Sequence, residues 1–499
     1  MVHRMDRRSS TWPARLLCLQ ASGDAGPDSR RRCVSGSIEP LDLRPWLARA
    51  VQANEHWMAQ FGPFPPHPAT QVTQEALASA FEQLQQRLTD NYPFGHPRYL
   101  GQMLKPPHPV AVLGYLSAML INPNNHALDG GPATARMEKE VVARLADLFG
   151  LPQHLGHLTS SGTIANLEAL WVAREVRPGR AIAFSADAHY THRRMCQVLA
   201  VEPIAIAVDA AGRMDLDDLE RALQSGRVGT VVATLGTTGL GALDPLPEIV
   251  ERARAHGARV HVDAAYGGFF ALIADDAPDG VARAPFSGLP QVDSIVVDPH
   301  KHGLQPYGCG AVLFADPQVG VHYVHDSPYT YFSSDELHLG EISLECSRAG
   351  AAAAALWLTL EVIGLDEQGL GAILRACRAA ALDWHARLRD SRSLAPYQDP
   401  ELDIVTYYPL RPAMSQVDQA SQQLFTAAAA LPAEQQVHLA TYAVTGRSMS
   451  LRHPGIEADA PSARILRSTV MKPDSAPAIG DVHALLERLA GPGILTAEG

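Results

Sequence analysis

The 499-residue chain has six cysteines, Cys18, Cys33, Cys196, Cys309, Cys346 and Cys377, and no C-x-x-C spacing among them. That lack excludes a thiolate zinc site or a disulfide framework as the basis of the fold, and it fits a reducing, cytoplasmic setting. Positive charge is also scarce. A formal net charge of -12 leaves no basic face for a phosphate backbone, so no nucleic-acid partner is expected. Long apolar runs are missing as well: residues 351–360 are too short to span a bilayer and no secretory segment follows Met1, so no membrane association is expected. No metal site is indicated, and a small-molecule ligand is the partner class left.

What is present is an ordinary globular composition, 46% hydrophobic and 19% charged, in a chain too long for one simple core. Residues 1–40 are rich in Arg and Ser without an apolar period and read as a disordered extension; a transit peptide is the alternative, weakened by Asp6, Asp24 and Asp28. Residues 41–120 read as an N-terminal helical arm, with helical spacing over 74–88 and a proline-rich break at 61–68. Residues 121–375 form the large domain, in which strands at 182–184, 203–208, 230–235, 260–262 and 294–297 alternate with helices at 215–224 and 246–256. This is an α/β pattern with a mostly parallel central sheet. Residues 376–499 mix helix and short strands and form a smaller C-terminal α+β domain.

Five stretches in the large domain carry chemistry. Asp298-Pro299-His300-Lys301 ends an apolar β-branched run, so a buried strand delivers Lys301 to the edge of the sheet, where an amine can form a Schiff base with a carbonyl. Thr159-Ser160-Ser161-Gly162-Thr163 opens a helical run, and its free N–H groups suit a phosphate. Arg259-Val260-His261-Val262-Asp263-Ala264-Ala265 ends a strand in an acid that can pair with a protonated pyridine nitrogen, beside small residues that leave room for a flat ring. His189 and His192, past another strand, each qualify to stack on such a ring, and the Ala233 to Gly239 stretch, with Thr234, suits the wall of a cofactor cleft.

The order and wording of these pieces, with Asn122-Pro123-Asn124-Asn125, resemble the group II pyridoxal-phosphate-dependent amino-acid decarboxylases from about residue 90 to 375. The resemblance implies a fold-type I, aminotransferase-like homodimer with active sites at the subunit interface, converting an L-amino acid to an amine and CO2. Residue by residue it implies that Lys301 carries pyridoxal 5'-phosphate and Asp263 binds the pyridine nitrogen. His189 would stack on one ring face with Ala265 against the other; Ser160, Ser161, Gly162, Thr163 and His300 would surround the phosphate, with Thr234 nearby. Ser161 stands where many relatives have glycine. A tyrosine after the lysine would supply the final proton, Tyr329 or Tyr331, with Tyr329 preferred. An arginine would bind the substrate carboxylate, Arg467 or Arg348. Tyr99, on the irregular loop at 93–102, would wall the substrate pocket. A lyase or aldehyde synthase on the same fold is the alternative activity.

Overall fold

The computed structural model describes residues 41–324 and 338–491. Its centre is a seven-stranded sheet of β1 (Leu155–Thr159), β2 (Ala181–Ser185), β3 (Pro203–Ile206), β4 (Val228–Thr234), β5 (Arg259–Asp263), β6 (Ser294–Val297) and β7 (Gly310–Phe314), in spatial order β1-β7-β6-β5-β4-β2-β3. The pairs from β3 through β2, β4 and β5 to β6 are parallel. β7 alone runs antiparallel, to both β1 and β6. All five strands expected from the sequence form. β1 and β7 were not expected: β1 hides its strand character behind Gly156 and His157, and β7 is a short apolar run that periodicity cannot tell from buried helix.

β2, β4, β6 and β7 are buried along their whole length, as strands covered on both faces by helices must be. The helix Gly162–Val176 packs on β6 and β7, and Leu246–Ala255 on β4 and β5. Gly350–Val362, apolar all round, is sandwiched between Pro109–Met119 and Pro132–Leu148. The main core gathers Val231, Val260, Val262, Ile295 and Phe269 from the sheet and its flank.

The helix Leu370–Asp390 leads into the smaller C-terminal domain. There a four-stranded antiparallel sheet, β8 (Leu394–Pro396), β9 (Ile404–Pro409), β10 (Ala440–Thr445) and β11 (Ser462–Thr469), adopts the order β10-β11-β9-β8. Its own core is built on Trp384 against Tyr407, with Leu424, Val470 and Leu486.

The arm is different in kind. Its helices Leu43–Ala59 and Gln74–Leu88 bury no residue. The second carries an apolar stripe at helical spacing, Leu77, Phe81, Leu84 and Leu88, each at least 50% exposed.

Candidate active site

Parallel strands in register align their carboxyl ends, and here that alignment assembles the chemistry. Thr234 pairs with Asp263 across β4 and β5, and Asp263 with Val296 across β5 and β6. One residue past the end of β6, the chain turns through Asp298 to Lys301. The turn is tight enough that a Cβ on Gly303 would come within 2.6 Å of Pro299 Cα. β1 ends at the same edge and hands the chain to the helix Gly162–Val176, capped by Ser161, whose Oγ accepts from the Ile164 N–H. Between these ends lies a cleft of about 650 Å³, the crevice at which open α/β sheets take ligands.

Ser161, Gly162, Thr163, His189, Thr234, Asp263, Ala265, His300 and Lys301 all line that cleft. Lys301 Nζ lies 3.1 Å from Asp298 Oδ2, and His300 Nε2 lies 3.6 Å from the same oxygen. His300 is held from behind by its Nδ1, 2.9 Å from the Cys309 carbonyl. Asp263 accepts from the Ala265 N–H at 3.1 Å and is 2.8 Å from His192 Nε2. Burial pushes its carboxyl up, but the His192 hydrogen bond and the positive charge of Lys301 outweigh that and hold it well below the usual carboxylate range. His189 is half-buried, and burial lowers its imidazole, so it faces the cleft as a neutral ring.

Other expected residues lie elsewhere. Ser160 is exposed, does not line the cleft, and donates its N–H to Glu345 at 2.8 Å. Tyr99 is 4% exposed and packs with Tyr92, Phe94 and His438, behind the cavity wall to which nearby Gln102 contributes. Tyr329 and Tyr331 lie outside the described residues. The two arginines separate cleanly. Arg348 gives its guanidinium to Glu138 at 2.5 Å and to the carbonyls of Leu158 and Asn125, a buried structural cluster. Arg467, on β11, donates Nε to the Gly239 carbonyl and keeps Nη2 buried without a partner among the described residues. It opens on a second cavity that shares His189 and Thr238 with the first.

Some functional neighbours escaped the sequence reading. Asp298 stands three residues before Lys301, a spacing that could have flagged the pair. Asn166, one turn into the helix, donates to the Gly162 carbonyl and accepts from His261, whose other nitrogen meets Ser294 Oγ. Burial pushes His261 down to about 3, so this chain ties the helix start to β5 and β6 without adding charge. Tyr266 lines the cleft with its hydroxyl committed to Asp403 at 2.6 Å. No local pattern marks these long-range partners.

A family model described as the pyridoxal-dependent decarboxylase conserved domain matches residues 66–407. The chain belongs to the pyridoxal-dependent decarboxylase family. It is 31% identical over 286 residues to a probable L-tyrosine/L-aspartate decarboxylase of Methanoculleus marisnigri, covering 57% of this chain and 74% of that one. It is 34% identical over 302 residues to an L-2,4-diaminobutyrate decarboxylase of Rhizobium meliloti, covering 56% of this chain and 58% of that one. Among solved structures, mouse CSAD in its apo form superposes with a TM-score of 0.72 at 21% identity, over 91% of this chain and 98% of that one. Oryza sativa TDC with PLP and tryptamine gives 0.72 at 18% identity, over 91% and 99%. These likenesses establish the fold-type I fold.

As a member of the family the chain is a pyridoxal-phosphate-dependent carboxy-lyase acting on an L-amino acid. The cleft fits that cofactor. It offers an amine on Lys301, a buried anionic carboxylate on Asp263, a helix N-terminus, and two buried oxygens, Thr234 Oγ1 and Asp298 Oδ1, with no partner among the described residues. When bound, pyridoxal phosphate supplies the electron sink that lets an amino acid lose CO2. The protein's part is to hold and to orient. The buried carboxylate of Asp263 would favour the protonated form of an N–H presented to it, and Asp298, 3.1 Å from Lys301 Nζ, would orient that amine. His189, whose imidazole burial keeps from gaining a proton, would offer a bound ring an aromatic face without a like charge.

Proposed function

We propose that Lys301 holds the cofactor covalently and that Asp263 pairs with its ring nitrogen, while His189 and Ala265 flank the ring. Ser161, Gly162, Thr163, Thr234 and His300 receive the phosphate. Arg467 binds the substrate carboxylate, Tyr99 backs the pocket wall, and Tyr329 delivers the proton that completes the amine. The observation carrying this reading is the convergence of Lys301, Asp263 and the Gly162–Val176 helix start on one cleft at the carboxyl edge of the sheet. The domain division at residues 41–120, 121–375 and 376–499 belongs to the same proposal, as do the dispensable extension at 1–40 and a cytoplasmic location, which the free cysteines Cys196, Cys309, Cys346 and Cys377 support.

A homodimer is part of it. The stripe of Leu77, Phe81, Leu84 and Leu88 is wide and apolar, and a second copy of the arm is the self-complementary surface at hand to cover it. Phe81→Asp should shift the protein to monomer in sedimentation analysis, and a monomeric wild type would end this part of the reading.

The activity is tested by incubating cofactor-loaded protein with each L-amino acid and with cysteine sulfinate, measuring CO2 and organic products by mass spectrometry. One amine with matching CO2 names the substrate. Aldehyde in place of amine would favour the aldehyde-synthase alternative, and Lys301→Ala should reduce turnover by at least about a hundredfold.

A further inference from the structure

His189 and His192 sit three residues apart, and the fold gives them opposite surroundings. His189 faces the cleft. His192, on the helix Thr191–Val198, belongs to that helix's buried face with Met195 and Cys196 and is 0% exposed. Its Nε2 lies 2.8 Å from Asp263 Oδ2. Its Nδ1 is buried with no partner among the described residues, so the Nε2–H donated to Asp263 is the hydrogen bond that orients the ring. The ring plane is fixed by Phe184 of β2, 5.9 Å away between centroids at 35°.

Asp263 is therefore gripped at both oxygens: Oδ2 by His192 and Oδ1 by the Ala265 N–H at 3.1 Å. An ionised carboxylate has about four acceptor positions, so those left can serve the cleft. Each donor already bonded stabilises the anion and weakens its pull on the next proton. Each also removes a direction in which the group can swing.

We propose that His192 is a positioning residue that fixes the orientation of Asp263 through Nε2–H and sets how firmly Asp263 holds a proton on the cofactor's ring nitrogen. This rests on the reading that Asp263 pairs with that nitrogen. His192 touches neither substrate nor cofactor in this scheme; it acts through the carboxylate alone.

The test uses holoenzyme loaded with pyridoxal phosphate labelled with nitrogen-15 in the ring, read by NMR and by retention of cofactor on dialysis. His192→Phe fills the space without a donor, and His192→Gln restores an N–H. In His192→Phe the ring-nitrogen resonance should move from its wild-type position, and cofactor retention should fall because the Asp263 carboxylate is free to swing out of line. His192→Gln should recover most of both. Should His192→Phe fail to fold, His192→Asn, too short to reach Asp263, should give the same displacement. An unmoved resonance in the folded donor-free variant overturns the proposal. Asp263→Asn separates the two levels. If it leaves the resonance in place, Asp263 does not pair with the ring nitrogen and both readings fall; if it moves the resonance while His192→Phe does not, only the role of His192 falls.

Discussion

A methyl group at Gly162 is the sharpest single perturbation the cleft offers. Gly162 is the first residue of its helix, and a Cβ built there lies 2.5 Å from both Oδ1 and Oδ2 of Asp298. That is about 1 Å inside a comfortable carbon–oxygen contact. Asp298 is 3% exposed, so its carboxylate has no solvent to move into, and any movement disturbs the 3.1 Å contact with Lys301 Nζ. Helix propensity argues the other way, favouring Ala over Gly by about 1 kcal/mol in a helix interior. The steric effect should win. Gly162→Ala should lose about 1–3 kcal/mol of unfolding free energy in the apoprotein, the range for overpacking, and bind cofactor at least about tenfold more weakly. Denaturant unfolding of apoprotein and bound-cofactor absorbance after dialysis measure the two effects. A variant at least as stable as the wild type, with full cofactor retention, would refute the argument that Asp298 is wedged between the helix start and Lys301.

Arg467→Met should raise KM at least about tenfold while cofactor retention stays unchanged. Arg348→Met should instead cost about 3–5 kcal/mol of stability, because it leaves Glu138 buried without its partner; equal behaviour of the two variants would contradict their separate roles. Asp244 is fully buried, and burial pushes its carboxyl up to about 7 against the hydrogen bonds it accepts from Met214 and Thr234. An unfolded aspartate titrates near 3.9, so between about pH 4 and 7 the native state keeps a proton that the unfolded state releases. That contribution is fully present below about pH 4 and lost as pH rises through about 7, so neutral Asp244→Asn should gain stability relative to the wild type across this window. A difference in unfolding free energy that does not vary with pH would contradict the assignment. Tyr329→Phe should keep its cofactor and lose amine formation, and full amine production would assign the proton to another group.

Much of this was legible in the sequence for a physical reason. Lys301, Asp263 and the Thr159 to Thr163 run stand where a local pattern changes, at a strand end or a helix start, and such changes can be read from neighbouring residues. The five parallel strands announced themselves as apolar runs between helices. What escaped depends on partners far along the chain. Nothing near Arg348 reveals that Glu138 and the Leu158 carbonyl will use its guanidinium, and nothing near Tyr99 shows that His438 will pack against it. From residue type alone His189 and His192 both qualified and only the resemblance chose His189; the packing of one helix on the sheet is what turns that ring to the cleft and buries the other. β7 was missed since its role, running antiparallel between β1 and β6, is a property of the sheet and not of its own five residues.

The place of β7 bears on how the protein is made. Lys301 lies on the connection from β6 to β7, and β7 completes the sheet by pairing with β1, where Leu155 stands opposite Phe314. Contacts so distant in sequence close slowly, because the entropy of the intervening loop must be lost before the pairing returns anything. The lysine is therefore expected to reach its final setting only when the sheet closes. Capture of cofactor during refolding should then lag behind formation of the parallel strands, so that a bound, coloured cofactor marks chains whose seven-stranded sheet has closed.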